Sequence, residues 1–154
     1  MNHKVFYLPL VSLSLCLTSC FSFGDNGEWK KKFGTPELML ENAKDEAYVY
    51  FDDDKKWFID TDDEIKEAIK AVAPFESSNP RSIPQDIRYF TYEAMWTPAT
   101  SGPNYEHLSI WENGFVQIDH KTSLGPHEYL YFTIAEAKAA PLVDLVFSRP
   151  FAEN

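Results

Sequence analysis

His107, Ser109 and Asp119 are the residue types of a hydrolytic triad. An imidazole oriented by a carboxylate can take the proton of a hydroxyl and so act as a general base. In a strand His107 and Ser109 would share one face. A flat sheet face does not point a serine into a pocket, though, and the chain has neither a Gly-x-Ser-x-Gly elbow nor a Ser-x-x-Lys pair. A cross-strand ion pair between His107 and Asp119 accounts for both residues without catalysis. His120 and His127 flank residues 121–126, with Glu128 adjoining. Two imidazoles and a carboxylate could hold zinc, but no His-Glu-x-x-His helix accompanies them. Asp60, Asp62 and Glu64 have the first, third and fifth spacing of a calcium loop. Its sixth position is Ile65 rather than glycine and its twelfth is Ala71, so the match fails. Asp52-Asp53-Asp54 reads as a solvated turn that guards a hairpin edge, with a weak Ca²⁺ site as the alternative. No glycine-rich phosphate loop occurs, so no nucleotide and no other cofactor is implied.

Charge and cysteine content narrow the classes further. The 154 residues carry 24 acids against 14 bases, a net charge of −10, which argues against nucleic acid as a partner because too few cations are present to neutralise phosphates. Two cysteines, Cys16 and Cys20, cannot build a disulfide framework or a thiolate metal site. At 44% apolar the chain can bury a core, and its length suits one domain.

Residues 1–20 decide what the cysteines do. Lys4 is the one full positive charge before Val5–Leu17, a stretch of 13 uncharged, mostly apolar residues. It is too short for a membrane span, which needs about 20 residues, and fits the apolar region of a secretory signal. Leu17-Thr18-Ser19-Cys20 follows, and this segment resembles a bacterial lipoprotein precursor. The resemblance covers residues 1–20 and matches the lipobox at all four positions. It implies a signal peptide over 1–19, a diacylglyceryl (palmitate-labelled) thioether on Cys20, and cleavage before Cys20. Position 21 is Phe rather than the Asp that marks inner-membrane retention. The resemblance therefore implies a lipoprotein on the non-cytoplasmic side of a bacterial membrane, in the outer membrane or at the cell surface. Cleavage would leave 135 residues (154 − 19) with a net charge of −11 (13 bases against 24 acids). Cys16 would leave with the signal and Cys20 would carry lipid, so no free thiol would remain for catalysis.

Residues 20–34 read as the lipidated tether and 35–154 as a single domain. Phe21–Gly34 has three glycines and no sustained periodicity; as a coil its 14 residues would span about 20 Å. Lys30-Lys31-Lys32 could settle on anionic headgroups or simply offset an acidic body. Thr35-Pro36-Glu37 opens a helix to about Lys44, with an N-cap, a proline at the first helical position and an early acid. Ala47–Phe51 and Trp57–Ile59 suit a hairpin. Thr61-Asp62-Asp63-Glu64 forms a capping box ahead of Ile65, Ala68, Ile69 and Val72, an amphipathic helix that stops before Pro74. A polar loop over 75–86 precedes four strands at about 87–95, 105–111, 115–120 and 128–134. The tail 135–147 is expected to be helical but interrupted at Pro141. The fold class is α+β: an antiparallel meander of about four strands plus an N-terminal hairpin, packed with two to three short helices.

Register sorts the sheet into two faces. A three-residue loop with Gly114 in the left-handed bulge position pairs Ile110 with Val116 and Leu108 with Ile118, keeping apolar opposite apolar. One face then gathers Phe90, Tyr92, Leu108, Ile110, Val116, Ile118, Leu130, Phe132 and Ile134 as core. The other carries His107, Ser109 and Asp119 beside Tyr89, Trp111, Phe115, Tyr129 and Tyr131, a patch of rings. Either another layer of the chain, such as the hairpin over 47–59, covers these rings, or they are exposed together as a contact surface for a protein or glycan. The leading expectation is a non-enzymatic envelope lipoprotein that binds the bilayer through Cys20 and a protein or glycan through this face. The alternatives are an envelope hydrolase or metal-dependent enzyme using His107/Asp119 or the His120–His127 loop, and a purely structural or assembly lipoprotein.

Overall fold

The computed structural model describes residues 27–48, 63–97, 104–121 and 127–150. Cys20, the turn Asp52-Asp53-Asp54, the capping residue Thr61 and nearly all of the expected 47–59 hairpin lie outside the described residues, as does the 122–126 loop.

The fold is α+β. Among the described residues four helices, α1 (Glu28–Phe33), α2 (Pro36–Asn42), α3 (Asp63–Ala71) and α4 (Glu136–Phe147), accompany strands β1 (Lys44–Tyr48), β2 (Glu76–Ser77), β3 (Tyr89–Trp96), β4 (Asn104–Trp111), β5 (Phe115–Lys121) and β6 (His127–Thr133). The strands form one sheet in the order β1-β3-β4-β5-β6-β2, with every neighbouring pair antiparallel. The expected meander is β3 to β6. Its register is the expected one, with Ile110 opposite Val116 and Leu108 opposite Ile118. Two edges differ from expectation. The first strand starts at Lys44 and pairs with β3, while part of the 75–86 loop adds the two-residue strand β2 to β6.

Gly114 sets that register. Its φ is 86°, and its N–H donates to the Trp111 carbonyl at 2.9 Å while its own carbonyl accepts from Ile134 N–H at 2.9 Å. A Cβ added there would stand 2.3 Å from the Ile134 carbonyl oxygen. Gly114→Ala is therefore expected to cost about 2 kcal/mol, through the left-handed backbone penalty together with this contact. Urea unfolding measures it, and a cost below about 0.5 kcal/mol, the scatter of neutral surface changes, would contradict the turn as described.

The core lies between one sheet face and the helices. Phe90, Leu108, Ile110, Val116 and Ile118 from the sheet are fully buried with Met39 and Leu40 of α2, Ile65 and Ile69 of α3, and Ala139 and Val143 of α4. Thr35 caps α2 as expected, its hydroxyl accepting from Leu38 N–H at 3.3 Å. Helix α4 runs through Pro141 without interruption; the proline is solvent-exposed and Leu142, Val143 and Val146 pack inward, so burial carries the helix past a missing donor. Arg88 ties this helix to the sheet, bonding Glu112 and Asp144 at 2.8 Å each. Those two bonds, Asp144 first, raise the guanidinium pKa above its ordinary value.

Helix α1 corrects the tether reading. Residues 28–33 are helical, Trp29 is 3% exposed and Phe33 is fully buried within the core. The two rings are four residues apart, so one turn of helix puts both on the same side. The segment is too short to show a repeating pattern, and its helicity comes from docking rather than propensity. The lysines of this helix are largely engaged within the domain. Lys30 pairs with Glu128 at 2.8 Å, and Lys32 pairs with Glu28 at 3.3 Å while lying over the Trp96 ring.

Candidate binding face of the sheet

Strand alternation carries Tyr89, Trp111, Phe115, Tyr131, Tyr129 and His127 to the face opposite the helices. Tyr89 and Trp111 are registered directly across β3 and β4, and their rings stack at 4.7 Å and 20°. Trp111 meets Phe115 edge-on at 5.0 Å across the tight turn. Phe115 is a diagonal neighbour of Tyr131, because Gln117 lies opposite Tyr131, and their centroids are 5.9 Å apart. Tyr131 continues to Tyr129 at 6.4 Å and Tyr129 to His127 at 5.7 Å. The expected ring patch is thus a continuous row over four strands.

Joint exposure of that row is not what the structure shows. Trp111 is 5% and Phe115 8% exposed, whereas Tyr129 is 43% exposed and Tyr89 and Tyr131 are half-buried. Each inner ring has ring neighbours on both sides. The Tyr129 hydroxyl is pushed above its ordinary pKa, first by desolvation and then by the Asp119 carboxylate and Tyr131.

Polar side chains on this face pair differently from expectation. His107 does not bond the facing Asp119; its Nε2 lies 2.8 Å from Glu93 Oε2, directly opposite on β3. Asp119 Oδ1 instead meets His127 Nδ1 at 3.0 Å. The Ser109 hydroxyl shares a 2.9 Å bond with Thr91. Ser109, His107 and Asp119 therefore do not form a relay, because each is committed to another partner. Sequence reasoning missed Glu93. Alternation placed it two residues beyond Thr91, but the residues between β3 and β4 gave no means of fixing that strand pair.

His120 and His127 are separated by the sheet itself. His127 belongs to the ring row, whereas His120 points into the core. There its Nδ1 lies 2.5 Å from Glu106 Oε1, and the ring stacks on Trp29 at 4.0 Å and 10°. The same Glu106 oxygen accepts from Trp96 Nε1 at 2.9 Å. The two histidines cannot converge on one ion. Among the described residues no group of three or more His, Cys, Asp or Glu side chains is placed to hold a metal.

One concavity of about 360 Å³ opens on this face. Ile83, Tyr89 and Trp111 form its apolar wall, Thr91, Ser109 and Gln117 its neutral floor, and His107 and Asp119 its rim. Strand alternation already puts Gln117 on this face without giving it a role, whereas Ile83 lies in the 75–86 loop and stands in no motif. In comparison with known proteins, the chain matches no family model, no curated protein and no solved structure.

Proposed function

We propose that this protein is a membrane-anchored envelope lipoprotein whose domain is a non-enzymatic binding module for an envelope protein or glycan. The observation that carries the anchor is Leu17-Thr18-Ser19-Cys20 at the end of an uncharged 13-residue stretch, seven residues before Gly27. Lipid chains on Cys20 would hold the protein to a bilayer, at about 0.8 kcal/mol per buried methylene. The binding face is the side of β3–β6 opposite the described helices, where rings, neutral polar groups and a ligand-sized concavity occur together. Ser109 bonds Thr91 rather than either imidazole of this face, which favours recognition over hydroxyl-based catalysis.

The anchor is tested by Cys20→Ser. The parent protein is expected to fractionate with membranes and to take up radiolabelled palmitate, and the variant is expected to lose both. Labelling that persists in the variant would refute the lipobox reading.

A further inference from the structure

We infer that the concavity beside Tyr89 is a binding site for a neutral saccharide. This rests on the binding-module reading above and narrows its ligand to one chemical class. Size comes first: about 360 Å³ is at the small end of ligand clefts, which run to roughly 300–1,000 Å³.

Charge excludes most other small ligands. Among the described residues no lysine or arginine lines the concavity, so these residues offer a phosphate or carboxylate no strong cation. The rim groups are also committed, His107 to Glu93 and Asp119 to His127. A cationic ligand would compete with the second of these pairs for the Asp119 carboxylate.

The floor asks for a hydrogen-bond donor. Gln117 is 9% exposed, and its Oε1 is buried with no hydrogen-bond partner among the described residues. An amide oxygen only accepts, and leaving one unpaired is costly, so an occupant that brings an O–H or N–H to it is favoured. Thr91 and Ser109 beside it exchange one bond, which leaves the pair one spare proton and several lone pairs. Groups that both donate and accept satisfy such a floor. A sugar hydroxyl does both.

The wall completes the match. Half-buried Tyr89 and exposed Ile83 give the concavity an apolar wall against which the C–H face of a pyranose packs favourably. An extended peptide gains less there. The site is a sheet face rather than an edge, and the main-chain groups of β3, β4 and β5 are spent on their neighbouring strands.

The test uses the mature lipidated protein in a non-glycosidic detergent, titrated with short neutral oligomers of glucose and of N-acetylglucosamine. A saturable change in tryptophan fluorescence is expected, together with amide shifts at Thr91, Ser109 and Gln117. Gln117→Met keeps the length and removes the acceptor. It is expected to weaken binding about tenfold or more while the thermal midpoint holds or rises. Should that variant not fold, Tyr89→Ala at the half-buried wall gives the same reading. Oligomers that produce no saturable change, or a folded Gln117→Met that binds as tightly as the parent, would overturn the assignment. A photo-crosslinking residue at position 83, which is exposed, separates the two levels. If the sugars fail and a protein is captured in the envelope, the saccharide assignment falls and the binding-module reading stands. If nothing is captured either, both fall.

Discussion

Phe33→Ala is expected to lower the free energy of unfolding by about 3–5 kcal/mol, the range for truncating a buried aromatic side chain. Phe33 is fully buried, 5.3 Å from the Trp96 ring, and belongs to the same cluster as Met39, Leu40 and Phe90. Its removal loses the transfer energy of the ring and leaves a cavity that the sheet is too constrained to close. A flexible tether would give a change near zero at this position. Urea unfolding decides between the two. Trp29→Ala should act in the same direction, since that ring is the lid over His120. A Phe33→Ala protein as stable as the parent would return residues 28–33 to the tether.

Glu106→Ala is expected to cost about 3 kcal/mol or more. Glu106 and His120 are both buried, and one carboxylate oxygen serves the imidazole and the Trp96 indole together. Removing the acid leaves two polar groups without that acceptor in an apolar layer, and a buried group stripped of its partner loses more than the bond alone. Glu106→Gln keeps an acceptor and should lose less. The paired replacement Glu106→Leu with His120→Phe removes the imidazole together with the acid but leaves the Trp96 indole N–H without this acceptor, so it should recover part of the loss. Equilibrium unfolding of the parent, Glu106→Leu, His120→Phe and the paired variant forms a double-mutant cycle. A coupling indistinguishable from zero would mean that the buried pair does not act as a unit.

The meander and its core face were legible because two constraints agreed. Gly114 fixes a bulged turn, and the alternation on either side fixes which residues oppose, so the pairing of Leu108 with Ile118 followed from sequence alone. The same register places Glu106 opposite His120. That pair was in principle readable, yet charged types at the far end of two strands look like solvent-facing residues until the layer above them is known. The layer above is α1, whose signal is only Trp29 and Phe33. The ring row was legible as a set, but the burial of Trp111 and Phe115 was not, because strand parity fixes the face a ring occupies and not how much of it stays exposed. Glu93 was hidden for a different cause: between β3 and β4 no turn chemistry fixes the register, so the partner of His107 could not be chosen between Glu93 and Asp119.

The docking of α1 shortens the leash. On the lipoprotein reading, Cys20 and Gly27 are separated by seven peptide units, a reach of at most about 25 Å when fully stretched. As a coil such a segment averages about 15 Å. The domain would then ride against the bilayer rather than sweep a volume above it, and its search would be two-dimensional. A ligand fixed to the same surface would meet it at a high effective concentration, in the millimolar range for short flexible connections, and modest intrinsic affinity would suffice. A freely diffusing ligand would gain nothing from that geometry.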